Sequence, residues 1–415
     1  MKTETKQRIE QIRRGEVPEG YKQAGQNIVP NTWNRLSFEQ VAIVRSGLVS
    51  PKTEPYSSML HIGPENIEKD TGKIENVRSA SELGLISGKF YFDSSSIVYS
   101  KIRPNLNKVC VPDFEGICSA DCYSIKARDN VDKNYLFTLM LSHQFYKRAV
   151  ACSMRTGMPK INQDDLNAIC LVFPDNLEEQ HKIAAILTTQ DRVIELKEKR
   201  LAEKQRQKKY LMQQLLTGKK RLPGFYGAWS FPKAKELFQS VSDKDHNGDL
   251  AVLSSTQDRG IVPRDEVDID IKYDACSLVN YKKVSKGNFV ISLRSFQGGI
   301  EYSTYTGLVS PAYTVLSSRK EISDGYYKQF FKSTNYINRL NVAVYGIRDG
   351  KQISYEDFGR LRIPYPPIKE QDAIAEVLST ADHEIDLLQQ DIEQEKQKKK
   401  ALMQLLLTGI VRVKT

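Results

Sequence analysis

Two similar stretches of the sequence end in an arginine with an amide side chain two or three residues later, and this pattern suits the reading of planar hydrogen-bonding groups. The stretches are residues 97–103 and 288–294. Guanidinium and amide groups make paired hydrogen bonds to base edges, and each good pair discriminates by about 1 to 3 kcal/mol. The candidate contacts are Lys101, Arg103, Asn105, Arg155, Lys160, Arg294, Ser295, Gln297, Arg348 and Lys351. For any one of them, a surface position that serves only solubility is an equally good interpretation.

No catalytic constellation competes with this interpretation. The sequence lacks a Walker A loop, a glycine-rich cofactor motif after a strand, and the Asn/Asp-Pro-Pro-aromatic motif of amino-methyltransferases. Asp175, Glu195 and Lys197 resemble a nuclease pattern. Helix rise, however, separates the two carboxylates by roughly 30 Å, too far to share one metal ion. We therefore predict a chain that is not an enzyme and holds no metal or cofactor.

Composition favours a polyanionic partner. The 415 residues are enough for two or three domains, and 61 Lys and Arg against 51 Asp and Glu give a net charge of +10. The six cysteines form no Cys-x-x-Cys pair, so we expect reduced and mostly buried thiols. There is no charged-then-apolar leader and no apolar run of about 18 residues, so a cytoplasmic location is expected.

An internal repeat organises the chain. Leu211-Met-Gln-Gln-Leu-Leu-Thr-Gly218 returns as Leu402-Met-Gln-Leu-Leu-Leu-Thr-Gly409, and 402 minus 211 gives a displacement of 191 positions. The same displacement carries Glu179-Gln180 onto Glu370-Gln371. Two copies without a gap over about forty residues imply two similar halves related by a pseudo-twofold axis.

The repeated segments predict two long helices, at about 177–216 and 368–407. Forty helical residues rise by roughly 60 Å, and the twofold relation predicts antiparallel pairing of the helices. Gly218 and Gly409 are predicted to end the helices in the left-handed conformation. Lysines and arginines along the first helix are read as a solvated face, with proximity to phosphates as the alternative. The predicted heptad seam is Leu187, Ile194, Leu201, Leu215, Leu378, Ile385, Ile392 and Leu406.

Between the helices lie two modules of mixed α/β (α+β) texture with common landmarks. Each has a tryptophan near its entry, Trp33 or Trp229, and helices are predicted at 135–150 and 326–341. A partial third copy of the repeat near Gly15 predicts that the first thirty residues pack near 402–415. The predicted domains are an N-terminal helical arm at 1–31, modules at 32–176 and 222–367, and coiled-coil helices at 177–221 and 368–415.

These features together resemble the specificity (S) subunit of a Type I restriction-modification system. The resemblance rests on an exit strand with proline, the Glu-Gln-x-x-Ile-Ala helix start and the Leu-x-x-Gln-Leu-Leu-Thr-Gly helix end, each present twice and together covering nearly the whole chain. It implies two target-recognition domains, each reading one half of a bipartite double-stranded DNA sequence, with paired helices spanning an unread spacer.

The resemblance also implies partners. Two methyltransferase subunits would dock on the helices and their ends, and restriction subunits would join through the methyltransferase. S-adenosylmethionine and ATP with magnesium would belong to those partners. Two alternatives stay open from the sequence: a stand-alone DNA-binding regulator, which needs no repeated docking ends, and a coiled-coil scaffold, which needs no modules with matched landmarks.

Overall fold

The computed structural model describes residues 3–153, 159–267, 275–344 and 353–414. The chain divides into two compact units, the first made of Met1–Leu196 and Ile392–Thr415 and the second of Lys197–Asp391. Each unit therefore contains a part of both long helices. The module boundaries expected from the sequence stay predictions.

The first unit is built on mostly antiparallel strands, with one parallel pair at residues 60–62 and 116–118, and helices flank them. Its strands are β1 (Tyr21–Ala24), β2 (Asn27–Pro30), β3 (Trp33–Ser37), β4 (Ala42–Val44), β5 (Leu48–Val49), β6 (Leu60–Ile62), β7 (Arg78–Ser79), β8 (Lys89–Phe92), β9 (Ser96–Ser100), β10 (Val109–Cys110), β11 (Gly116–Cys118), β12 (Cys122–Ala127) and β13 (Cys170–Pro174). Its helices are α1 (Thr3–Arg13), α2 (Phe38–Val41), α3 (Lys133–Leu141), α4 (His143–Ser153), α5 (Gln163–Asn167) and the start of α6 (Leu177–Leu215).

The second unit repeats this plan with fewer strands. They are β14 (Phe238–Val241), β15 (Leu253–Thr256), β16 (Gly260–Pro263), β17 (Lys282–Val284), β18 (Phe289–Ile291), β19 (Glu301–Tyr302), β20 (Gly307–Val309) and β21 (Thr314–Ser318). The helices are α7 (Ala234–Leu237), α8 (Ser295–Gly298), α9 (Asp324–Phe331), α10 (Thr334–Val344), α11 (Tyr355–Arg360) and α12 (Ile368–Leu406), whose last part belongs to the first unit.

A four-stranded sheet has the same strand order in both units. The order is β4-β12-β9-β10 in the first unit and β14-β21-β18-β19 in the second. A five-stranded sheet, β5-β8-β11-β6-β7, completes the first unit, where the second has the smaller pairs β15-β16 and β17-β20. The internal repeat therefore extends from the helices into the framework of the modules, while the additions around that framework differ.

Each unit closes its core with the start of one long helix and the end of the other. In the first, Trp33 packs in one cluster with Ile183 and Leu187 of α6 and with Leu406 of α12. In the second, Phe238 shares a cluster with Leu215 at the end of α6, with Leu216 directly after it, and with Ile374 and Leu378 of α12. Because apolar burial is the dominant favourable term in folding, the helices are part of both cores and not appended to them.

The antiparallel pairing of the long helices is confirmed within each unit. In the second unit, Lys197 pairs with Asp391 at 2.8 Å and Lys204 with Glu384 at 2.6 Å, so residue numbers rise on one helix as they fall on the other. One ion pair is present in both units, because Lys208 contacts Asp382 and Lys399 contacts Asp191. Six of the predicted seam residues are buried, and Leu201 and Ile385 are half-buried.

The sequence predictions were wrong in two local respects. Each predicted module helix is two helices, because the chain leaves the helical conformation at Ser142 in the first unit and near Lys332 in the second. The predicted strand runs are also shorter, since β9 ends at Ser100 and β18 at Ile291. The predicted helix ends at Gly218 and Gly409 are confirmed, with φ of +72° and +71°.

Candidate nucleic-acid interface

An arginine turn follows β9 in the first unit. Arg103 adopts a left-handed φ of +48° and precedes a single 3-10 turn, Pro104–Leu106. Its backbone N–H donates to the carbonyl oxygen of Pro159 at 2.8 Å, while its side chain and that of Asn105 are exposed. The turn therefore fixes the backbone beneath two donor side chains and leaves both free to meet a ligand.

Four of the predicted contacts of the first module are brought together at this turn: Lys101, Arg103, Asn105 and Lys160. Ile102 forms a β-bridge with Lys160, and Ile161 donates its N–H to the carbonyl of Lys101 at 2.9 Å. Burial, followed by the charge of Lys160, lowers the pKa of Lys101 below its ordinary value. A cation held near a second cation is stabilised by an anion, so the pair suits a phosphate or a base acceptor. Arg155 lies outside the described residues.

The second unit carries the matching turn after β18. Arg294 is exposed and precedes α8, and the side chain of Gln297 on that short helix is also exposed. Ser295 corrects the prediction for its position, because it is 1% exposed and its hydroxyl accepts the Ser292 N–H at 2.8 Å. Its side chain stabilises the turn and does not reach solvent. Arg348 and Lys351 lie outside the described residues.

A buried carboxylate lies at the start of each long helix, and sequence reasoning did not identify what it does. Glu179, 1% exposed, accepts from Trp33 Nε1 at 3.3 Å and from Arg412 Nη2 at 2.8 Å. We call this set the carboxylate lock of the first unit. An acidic residue at a helix start also suits the helix dipole, but Glu179 forms an internal ion pair that joins module, helix start and helix end.

The second unit contains the same lock. Glu370, with no exposed surface, accepts from Trp229 Nε1 at 2.9 Å and from Arg221 Nη2 at 2.7 Å. Arg221 and Arg412 are themselves 191 positions apart, so the repeat marks both arginines in the sequence but does not identify the glutamates that they pair with. The adjacent glutamine extends the lock, since Gln371 Oε1 accepts the backbone N–H of Ser323, just before α9, at 2.9 Å.

The described residues contain no cluster of three or more His, Cys, Asp or Glu side chains placed to hold a metal ion. Burial raises the pKa of Cys118 to about 12, so this thiol stays protonated and is a poor nucleophile. Within the same described residues, no helix combines the length and apolar character needed to cross a membrane. The two arginine turns offer hydrogen-bond donors on a fixed backbone.

The comparisons with known proteins decide the family. The model of the Type I restriction modification DNA specificity domain matches residues 65–206 and 228–397, more than half of the chain. The chain belongs to this family. Its two matched regions carry the two arginine turns, one in each unit. Specificity subunits of this class are not catalytic, and the chain is a non-catalytic member.

One specificity subunit and two solved structures illustrate what this chain is similar to. The chain is 39% identical over 178 residues to the Type I restriction enzyme EcoDI specificity subunit of Escherichia coli, and this match spans 43% of the chain and 37% of that protein. The fold is similar to that of the HsdS subunit from Thermoanaerobacter tengcongensis, with a TM-score of 0.52, 20% identity, and coverage of 93% and 99%. A chain of a type I R-M system studied for its complex assembly gives a TM-score of 0.62 at 19% identity, with coverage of 92% and 99%.

Proposed function

We propose that this specificity-domain chain is the DNA-recognition subunit of a Type I restriction-modification complex. Each module would read one half of a bipartite double-stranded target, and the long helices would set the unread spacer between the halves. The chain would bind two methyltransferase subunits and, through them, restriction subunits. S-adenosylmethionine, ATP and magnesium would be held by those partners, in the cytoplasm.

The observation that supports the proposal is that the two units share one framework but expose different residues on it. Both units have the same four-strand order and the same carboxylate lock, yet their arginine turns present different side chains. The first turn presents Arg103 and Asn105, and the second presents Arg294 and Gln297. Phosphate contacts position a protein on DNA and base contacts specify the sequence, so this pattern suits two readers of different half-sites on one scaffold.

We expect substitution of one arginine turn to erase one half of the target. In the full chain co-expressed with its adjacent methyltransferase, Arg103→Ala should relax base preference in one half and Arg294→Ala in the other. Each loss should be about 5- to 150-fold in discrimination, the range of one bidentate base contact. Single-molecule sequencing of host DNA would reveal both the methylated adenines and the surrounding motif.

Matched controls use exposed arginines outside the turns. Arg13→Ala on α1 and Arg360→Ala on α11 should leave the methylated motif unchanged. A stable complex with an active methyltransferase that methylates no gapped motif would favour a stand-alone regulator or a scaffold instead.

We expect a matched insertion in both long helices to change the spacer alone. Seven residues inserted after Leu196 and seven after Asp391 keep the heptad phase and leave the ion pairs on both sides of the insertions intact. Seven helical residues add about 10 Å, which corresponds to roughly three base pairs of rise along DNA. Sequencing of methylated sites should then give the same two half-sites with a longer gap, and an unchanged gap would refute the spacing function.

A further inference from the structure

A hairpin tip is tied to the arginine turn in the first unit. The tip contains Lys69-Asp-Thr-Gly72 and lies between Ile67 and Ile74, which form a β-bridge. Asn107, 6% exposed, ends the arginine turn at a φ of +44°. Its amide Nδ2 donates to Asp70 Oδ1 at 3.1 Å and to the carbonyl oxygen of Leu141, the last residue of α3, at 3.2 Å.

The second unit ties the equivalent elements with a different side chain. Its hairpin tip joins β15 to β16 and contains Gln257-Asp-Arg259 together with Gly260, the first residue of β16. Lys332, at the end of α9, donates from Nζ to the carbonyl oxygens of Gln257 at 3.1 Å and of Gly298 at 3.0 Å. The same ammonium pairs with Glu301, which is 2% exposed. The cation therefore joins hairpin, turn and helix end.

We call the hydrogen bonds made by Asn107 and those made by Lys332 the two ties. They lie at corresponding places in the two units, although their donors lie on different elements. Asn107 follows the arginine turn in the first unit, and Gly299, with φ of +83°, follows it in the second. A methyl group at Gly299 would overlap the carbonyl oxygen of Phe331, the last residue of α9, so no side chain fits there. The turn supplies the donor in one unit, and the helix end supplies it in the other. Both units therefore connect the hairpin tip, the turn and the helix end, one through an amide and the other through an ammonium group. This indicates that the connection is needed, whichever side chain makes it.

The glycine of each tip also approaches a strand backbone closely. A methyl group at Gly72 would lie 3.0 Å from the carbonyl oxygen of Val109, and one at Gly260 would lie 2.8 Å from that of Tyr302. Both glycines have φ of +77°. Each tip is therefore seated at a defined place against β10 or β19, the strand that follows the arginine turn, and the tie fixes it in that seat.

We propose that Asn107 and Lys332 are positioning residues that hold each hairpin tip and arginine turn together as one composite DNA-reading surface. This inference rests on the proposed function. It adds the exposed tip residues Lys69, Thr71 and Gln257 to the surface that discriminates bases. Two loops on separate strands can read adjacent bases only when their spacing is fixed, because a displaced donor loses its bidentate geometry.

The test measures base preference separately in each half-site, using the full chain assembled with its methyltransferase. Asn107→Gly removes the amide but suits the positive φ, and we expect about tenfold weaker discrimination in the first half alone. In the second unit, Lys332→Met is combined with Glu301→Met so that no buried charge is left unpaired. This double variant should weaken discrimination about tenfold in the second half alone.

Matched controls separate the ties from general effects. Asn76→Gly replaces another asparagine with positive φ, at 53°, and Lys328→Met removes an exposed lysine from α9. Both should keep wild-type base preference. Competition binding against duplexes with single base changes gives the ratio of cognate to altered target, a ratio that a uniform loss of folded protein does not change.

The outcomes distinguish this inference from the proposed function. Loss of base preference confined to the half-site of the altered module would support the ties as positioning residues. Folded variants with wild-type ratios in both halves would overturn that inference while leaving the DNA-reading function in place. A wild-type complex without a two-part target would instead refute the proposed function itself. If the double variant does not fold, Lys332→Gln replaces it, because glutamine keeps amide donors. Its ratio of cognate to altered target binding should lie between those of wild type and a protein without the tie. An unchanged ratio would count against the tie.

Discussion

Replacing Arg221 by methionine is expected to lower the free energy of unfolding of the second unit by about 3 kcal/mol, since breaking a buried ion pair leaves its partner uncompensated. Glu370 has no exposed surface, and after the substitution the Trp229 indole would be the remaining partner among those described for the lock. The expected value stands at the lower end of the range for buried pairs because the Arg221 side chain is 28% exposed.

The chain contains two tryptophans, one in each lock, and this allows a measurement specific to each unit. With 19F-labelled tryptophan, urea titration followed by NMR should shift the Trp229 transition to lower urea. Lys219→Met, at an exposed lysine two residues away, should leave both transitions unchanged. Adding Glu370→Leu to Arg221→Met should recover part of the loss, because the unpaired charge is removed. Equal stability of Arg221→Met and wild type would show that the lock is a marginal surface pair.

Replacing Phe238 by alanine is expected to destabilise the second unit by about 3 to 5 kcal/mol, the usual result of truncating a fully buried aromatic ring. The ring has no exposed surface. Its centroid lies 5.1 Å from that of Tyr327, 5.4 Å from that of Phe331 and 5.6 Å from that of Phe289, with tilted or edge-on planes in each pair. The substitution therefore removes both apolar burial and aromatic pairing at the junction of β14, β18 and α9.

The same fluorine measurement checks this prediction against a matched phenylalanine. Phe231→Ala, at a ring that is 48% exposed, should change the Trp229 transition by less than about 0.5 kcal/mol, as surface substitutions usually do. The Trp33 transition should not move in either variant. A small effect of Phe238→Ala would mean that the neighbouring rings collapse into the vacated space.

The features that could be predicted from the sequence are those that the internal repeat shows directly. A displacement that keeps register reveals the long helices, their glycine ends and their antiparallel seam, because heptad spacing is a local property. It also indicated Arg103 and Arg294, which the structure places at equivalent turns. The unequal additions around the shared sheet escaped prediction, since short strands such as β5 and β7 carry little periodic signal.

The internal repeat does not identify contacts between residues that are far apart in the sequence. The residues around Glu179 do not indicate that it pairs with Arg412, which is 233 positions away. A repeated glutamate at a helix start is explained equally well as a partner of the helix dipole. The burial of Ser295 was missed for the same reason, because its hydroxyl is used by a neighbouring backbone N–H in a turn whose conformation is set by tertiary packing. The ties of Asn107 and Lys332 likewise join elements that are distant in sequence.

The composition of the two units has a consequence for the order of events during translation. The second unit is one continuous segment, whereas the first needs residues 392–414, including Arg412, to cover Trp33 and Glu179. Glu179 and Arg412 are 233 positions apart, so synthesis at about 5 to 20 residues per second places roughly 12 to 47 seconds between their emergence. The module made first is therefore the one completed last, and its apolar helix face must stay unaggregated on the ribosome throughout that interval.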